Sequence, residues 1–337
     1  MAASLALVLL ALLGAPLFAI IGAGALLGFA RSGVDLTAVP IEIYGIAETP
    51  ILLAIPLFTF AGYVLSESRA AARLVRLSAA LIGWLPGGLA MVAVATCSLF
   101  TAFTGGSGVT IIAIGALLFP ALVQAGYSER FTLGLVTSSG SLGLLFAPSL
   151  PLIIYGIIAE VSIDSLFVAG IVPGILMMLA LAAFCLLRNR ANRRPLAEFS
   201  WREVRAAIRE SIWELPLPVV VLGGIYSGYF AVSEAAAVTV VYVLIAELLI
   251  YREVPWRRVP GIVRESMVLV GGILLILGIS LASTNYMIDA QVPQQLIELV
   301  TSQISDQVSF LLLLIGFLLL IGCILHIFSA LVLVVPL

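Results

Sequence analysis

Run after run of about 20 apolar residues, the length that crosses a bilayer's hydrocarbon as a helix, leaves this chain no way to build a water-facing surface. Leu5–Ala30, Ile43–Leu65, Leu166–Leu187, Leu215–Phe230, Ala235–Tyr251 and Met267–Met287 read as spans. Composition closes the alternative. Of 337 residues, 62% are hydrophobic and 10% are charged, with a mean hydropathy of +1.23, against roughly 25% charged in a soluble domain. Lipid must cover what water cannot, and the soluble globular class is excluded.

The few charges are placed unevenly. All 16 basic residues are arginine, and seven of them fall between Arg188 and Arg209. The stretch Asn189–Glu214 is the one sizeable polar linker and divides the chain into a first half, residues 1–188, and a second, 215–337. Ser68–Leu81 and Val292–Ile304 are amphipathic and suit the membrane interface. An excess of arginine in cytoplasmic loops then orients the chain with its N-terminus inside and the acidic, Arg-free stretch Asp289–Asp306 outside. No cationic region precedes the first apolar run, so no cleaved signal peptide is expected. Cys97, Cys185 and Cys323 stand alone without metal-ligand spacing, and the single histidine is His326.

Three apolar regions are broken where a simple span would not be. Leu85–Val123 is too long for one crossing and carries Thr104-Gly105-Gly106-Ser107-Gly108 in its middle. Phe131–Ile158 contains Ser138-Ser139-Gly140-Ser141 and then Ala147-Pro148-Ser149-Leu150-Pro151, and Ser309–Leu337 carries Gly322 and His326. Backbone opened at membrane depth must find partners in protein, water or ligand. Glycines and prolines free carbonyls there, and serine and threonine add hydroxyl oxygens, a neutral donor set that suits sodium. Freed helix N-termini offer N–H groups to a carboxylate.

The segments beginning at Gly106 and Gly322 look alike at an offset of 216 residues, and the orientation above makes the first enter from the cytoplasm and the second from outside. That is an inverted repeat with two re-entrant hairpins, a design that places transport sites near the midplane. The simpler role for small residues, close helix packing, is assigned to Gly170/Gly174 and Gly224/Gly228. Glu234 is read as a helix cap, Glu48, Glu160 and Asp164 as interfacial, and Glu247 as an intramembrane acid near the end of its span.

At this point the residues become those of a family. Leu99–Ser107, Gly126-Tyr127 with Arg130-Phe131, Pro148–Gly156, Phe167–Gly174 and Ser233–Ala237 resemble the large membrane subunit of TRAP transporters, the DctM type, over nearly the whole chain. The resemblance implies an all-α, inverted-repeat secondary transporter of the elevator type in a bacterial inner membrane. It implies sodium-driven import of an organic anion, such as a C4-dicarboxylate or sugar acid, with a small four-helix membrane subunit and a periplasmic substrate-binding protein. No cofactor beyond the coupling sodium, no catalytic residue and no nucleic-acid partner are expected. Carried over position by position, Thr104, Gly105, Ser107, Ser138, Ser139, Gly140, Pro148 and Ser149 bind sodium or substrate, and Gly322 and His326 form the second hairpin tip. The chain departs from the family at Ala147, at Ala231–Ser233 and at His326, where an acid is usual.

Two other functions fit parts of the pattern. A divalent-anion/sodium symporter shares the hairpin design, and Gly105-Gly106-Ser107-Gly108 matches an intramembrane serine protease motif with Ser107 as nucleophile and His326 as its base. The repeat also predicts that the second half continues beyond Leu337, so that these residues form a fragment.

Overall fold

A computed structural model describes residues 2–85, 87–188, 198–303 and 306–336. The part of the expected linker that holds Arg190, Arg193 and Arg194 lies outside them. Proline divides the first two expected spans, because it cannot continue a helix from the preceding turn. Thus α1 (Ala2–Leu12) and α2 (Leu17–Ser32) part at Pro16, and α3 (Ala38–Ala47) is followed by a 3-10 turn, Pro50–Leu53, that leads into α4 (Ala54–Glu67). The amphipathic segment forms α5 (Ala70–Ile82).

The long apolar region becomes α6 (Gly88–Thr104) and α7 (Ser107–Gln124), broken at Gly105-Gly106 as expected. Next come α8 (Glu129–Leu142), a 3-10 turn Gly143–Leu145, and α9 (Leu150–Ile158), bent by 50° at the break. Two helices then run nearly end to end, α10 (Ile163–Ala169) and α11 (Ile171–Arg188). A helix absent from the sequence reading, α12 (Trp201–Glu210), occupies the linker.

The rest comprises α13 (Pro216–Tyr226), α14 (Val232–Leu244) with a π-helical turn at Ile245–Ile250, α15 (Val259–Asp289), α16 (Val292–Gln303), α17 (Gln307–Ile324) and α18 (Ile327–Val334). Glu234 caps α14 as expected, accepting from the Ala231 N–H at 2.9 Å. Among the described residues there is no strand, and the all-α membrane class holds.

Five helical stretches are long and apolar enough to cross a bilayer: Pro50–Glu67, Ser107–Gln124, Ile163–Arg188, Val232–Ile250 and Trp256–Asp289, with the bent α8–α9 pair a sixth. The expected span Leu215–Phe230 is cut short. The 11 residues of α13 rise only about 16 Å at 1.5 Å each. The GxxxG pairs also divide. A side chain on Gly170 or Gly174 would strike the Leu145 carbonyl or the Phe146 ring, so these two serve close packing, whereas Gly228 has open space around it and makes a turn at φ 76°.

The chain forms two compact units, one of Met1–Leu52, Ile154–Val161 and Leu269–Leu337, the other of Leu53–Ile153 and Ser162–Val268. In the first, Phe29, Val39 and Ala282 pack together, Tyr286 meets Phe29 edge-on, and the Ser280 hydroxyl donates to the Val332 carbonyl at 2.8 Å. In the second, α4 lies along α14. Buried Phe58, Ala61, Val64 and Leu65 on one side and Ala235, Ala236, Thr239 and Val243 on the other recur at three- and four-residue spacing, the seam of two packed helices. The small alanines let the backbones approach.

Candidate functional site

The break between α6 and α7 in the second unit is built so that only glycine fits. Gly105 ends α6 at φ 65°, a left-handed conformation, with its N–H on the Thr101 carbonyl at 2.8 Å. A Cβ there would lie 2.8 Å from Leu150 Cγ. The last turns of α6 place Ser98, Thr101 and Thr104 at three-residue spacing, and all three are buried.

Their hydroxyls form a group. Thr101 Oγ1 lies 2.8 Å from Thr110 Oγ1 of α7, from the Gly140 carbonyl of α8 and from the Cys97 carbonyl of its own helix. Thr104 Oγ1 is 3.2 Å from Thr110 Oγ1 and 3.5 Å from the Gly106 carbonyl. A hydroxyl has one proton and two lone pairs. Thr110 can therefore donate to Thr101, and Thr101 on to one carbonyl, with lone pairs to spare.

Close approach of α8 is what brings the oxygens together. A Cβ on Gly140 would meet Ile111 Cγ1 at 2.7 Å, and one on Gly143 would meet the Ser98 carbonyl oxygen at 2.3 Å. Ser139 beside them is fully buried, and its hydroxyl finds no partner, like that of Ser98. The same is true, among the described residues, of the Thr96, Thr132, Ser211 and Thr284 hydroxyls, so the converging threonines and not these unpaired groups define the site. Neutral hydroxyl and carbonyl oxygens, several of them converging at a helix break, are donors that can replace the hydration shell of a hard cation.

The sequence-predicted residues divide accordingly. Thr104, Gly105, Ser107 and Gly140 lie where α6, α7 and α8 meet, and Ser139 is buried on α8 next to Gly140 in sequence. Ser138 does not join them: two residues before Gly140, and so about 200° round the helix, it is exposed. It lines a separate groove of about 270 Å³ with Arg130, Phe131 and Phe184. Ser149 and Pro148 are buried in the bend after α8, where the Ser149 hydroxyl donates to the Leu144 carbonyl and so serves the bend itself.

Thr101 and Thr110 were missed, although three-residue spacing from Thr104 and Ser107 was there to be read. Of the expected second tip, Gly322 falls inside α17, and the break comes three residues later at Leu325-His326, with His326 as the N-cap position of α18. A glycine with open space around it does not by itself end a helix.

Comparison with known proteins agrees with this architecture. Residues 3–337 match the family model described as "Tripartite ATP-independent periplasmic transporter, DctM component". The chain is similar to the ectoine/5-hydroxyectoine TRAP transporter large permease protein UehC of Ruegeria pomeroyi, 34% identical over 87% of this chain and 69% of the relative. It is also similar to the C4-dicarboxylate TRAP transporter large permease protein DctM of Pseudomonas aeruginosa, 35% identical over 82% of this chain and 65% of the relative. The isethionate TRAP transporter permease protein DctMQ of Oleidesulfovibrio alaskensis is 32% identical over 96% of this chain and 51% of the relative. The chain thus spans between 51% and 69% of the length of these three relatives. A helical membrane architecture, a glycine-broken helix pair lined with neutral oxygens and a family match along nearly the whole sequence converge on one assignment: the chain belongs to the DctM component family of TRAP transporters, a family of transport permease subunits and not of enzymes.

Proposed function

We propose that this chain forms part of a sodium-coupled importer of organic anions that works with a small membrane subunit and a periplasmic binding protein. The observation that carries the reading is the meeting of the Thr101, Thr104 and Thr110 hydroxyls with the Gly140 carbonyl. In this reading, sodium binds among these oxygens and the helix pair α6–α7 is re-entrant, entering from the cytoplasmic side. The cation then compensates a carboxylate or sulfonate nearby. C4-dicarboxylate, isethionate and the zwitterion ectoine appear in the names of similar permeases, which supports a substrate that carries a carboxylate or sulfonate. Inverted repeats and an elevator-type movement accompany the same reading.

The test is sodium-dependent uptake by the complete permease, reconstituted with its two partners. Thr101→Val keeps the shape and removes one ligand oxygen. A lost hydrogen-bond-strength contact of about 1.4 kcal/mol is tenfold in binding, so half-saturation should move to about tenfold higher sodium. Ser138→Ala, in its separate groove, should leave it unchanged. Equal uptake on a proton gradient with sodium absent would overturn the reading. Orientation in a bacterial inner membrane has its own check: a single cysteine at Arg257 should react with an impermeant reagent only from the cytoplasmic side, and one at Gln303 only from outside.

A further inference from the structure

Elsewhere in the second unit, on α5, one guanidinium serves three carboxylates. Arg73 of α5 binds Glu214 through Nε, Glu253 through Nη1 at 2.6 Å and Glu247 through Nη2 at 2.9 Å. Its Cζ lies 3.9 Å from the centre of the Tyr251 ring. Arg73, Glu214 and Glu247 are all buried, and Glu253 is partly exposed.

Each acid spends one oxygen on Arg73, so the second oxygens tell them apart. Glu253 Oε2 accepts from the Arg69 N–H at 2.8 Å, and Glu214 Oε2 lies 3.3 Å from the Tyr251 hydroxyl. Glu247 Oε2 is buried and has no partner. It also sits in the π-helical turn Ile245–Ile250, an irregularity that occurs frequently at functional sites. The charged and titratable groups around it are Arg73 from α5, Glu214 ahead of α13, and Tyr251 and Glu253 after its own helix. From α4, Glu67 is held by Arg258, and Tyr63 is uncharged.

One positive charge cannot balance three negative ones in a buried site. An unpaired buried carboxylate oxygen costs far more than an unpaired neutral hydroxyl. Burial also pushes the Glu214 carboxyl above the usual carboxylate range, against the pull of Arg73. Among the three acids, only Glu247 has a free oxygen with no access to water.

We propose that Glu247 is a proton-binding site of this permease, with the proton held on its unpaired Oε2 while Oε1 stays on Arg73. When the pH rises the carboxylic acid releases its proton to solvent, and the new charge repels Glu214 and Glu253 across the shared guanidinium. The cluster joins α5, the segment ahead of α13 and the end of α14, so the protonation state acts on the seating of α5 just before α6. This site is independent of the sodium reading.

Infrared difference spectroscopy of the purified permease in lipid nanodiscs tests it through the C=O stretch of a protonated carboxylic acid. The wild type should show a band that is present at low pH and lost as the pH rises. Glu247→Gln should abolish that band. Glu253→Gln, at the partly exposed member, removes one repelling charge and should move the loss of the band about one unit lower in pH, which keeps the test decisive should Glu247→Gln fail to fold. A band that survives Glu247→Gln, or a midpoint unmoved by Glu253→Gln, would overturn the proposal.

Discussion

Arg73→Met should be among the most damaging single substitutions in this chain, with a loss of about 3–5 kcal/mol, the usual cost of stripping one partner from a buried ion group. The guanidinium is the common partner of Glu214, Glu247 and Glu253. Without it the first two remain buried, and among the described residues neither has an ion pair with any other cation. Arg73→Lys should fall between, since a single ammonium keeps the charge but not the planar fork that reaches three acids at once. The triple variant Arg73→Met/Glu214→Gln/Glu247→Gln should recover most of the loss, because removing a whole buried charge set is often close to neutral. Thermal unfolding of the four proteins in one detergent gives the order. A single Arg73→Met variant that unfolds with the wild type would show that the cluster contributes nothing to the fold.

The neighbouring Arg76 contacts to Glu203 and Glu210 of α12 have a different character. These side chains are each two-fifths to half exposed, so water and salt screen them. They help to seat α12 beside α5 and should contribute well under the Arg73 group. Arg76→Ala is therefore a useful control for the same unfolding series.

The second large effect concerns Gly143. An added Cβ would stand 2.3 Å from the Ser98 carbonyl oxygen and 2.4 Å from Thr101 Cβ. Both are fixed to the backbone of α6, so no side-chain rotation relieves the clash and the helices must separate. Overpacking of this kind costs about 1–3 kcal/mol. The same separation draws Thr101 away from the Gly140 carbonyl, now 2.8 Å distant. Gly143→Ala should therefore lower stability and weaken sodium dependence together. Gly134→Ala is the matched control: it lies on α8 with nothing within 4 Å of an added Cβ, and in a helix interior it should stabilise by about 0.5–1 kcal/mol. If the two alanine variants unfold alike and take up substrate alike, α6 and α8 are not packed as described.

Much of this molecule was legible before its structure. Too few charges to face water and the glycine break at Gly105-Gly106 follow from local chemistry and stand as expected, and three of the six expected spans, Leu166–Leu187, Ala235–Tyr251 and Met267–Met287, match long apolar helices. Glu234 as a cap and α5 as an amphipathic helix are equally local, set by residues within a turn or two. Pro16 and Pro50 were legible too and were passed over, because hydropathy is blind to the missing N–H that ends a helix.

What the sequence could not show is which oxygens meet and which charges share a partner. Thr101 and Gly140 are far apart along the chain, and their contact depends on how closely α6 and α8 pack, which the glycines of α8 permit but do not announce. Glu247 read as an acid near a span end. Only folding carries it to an arginine 174 positions earlier, with Glu214 and Glu253 on the same guanidinium. Backbone geometry and membrane class are decided by short-range sterics and by composition, which a sequence displays directly. The oxygen cluster and the buried ion group depend on distances between helices, which exist only once the chain has packed.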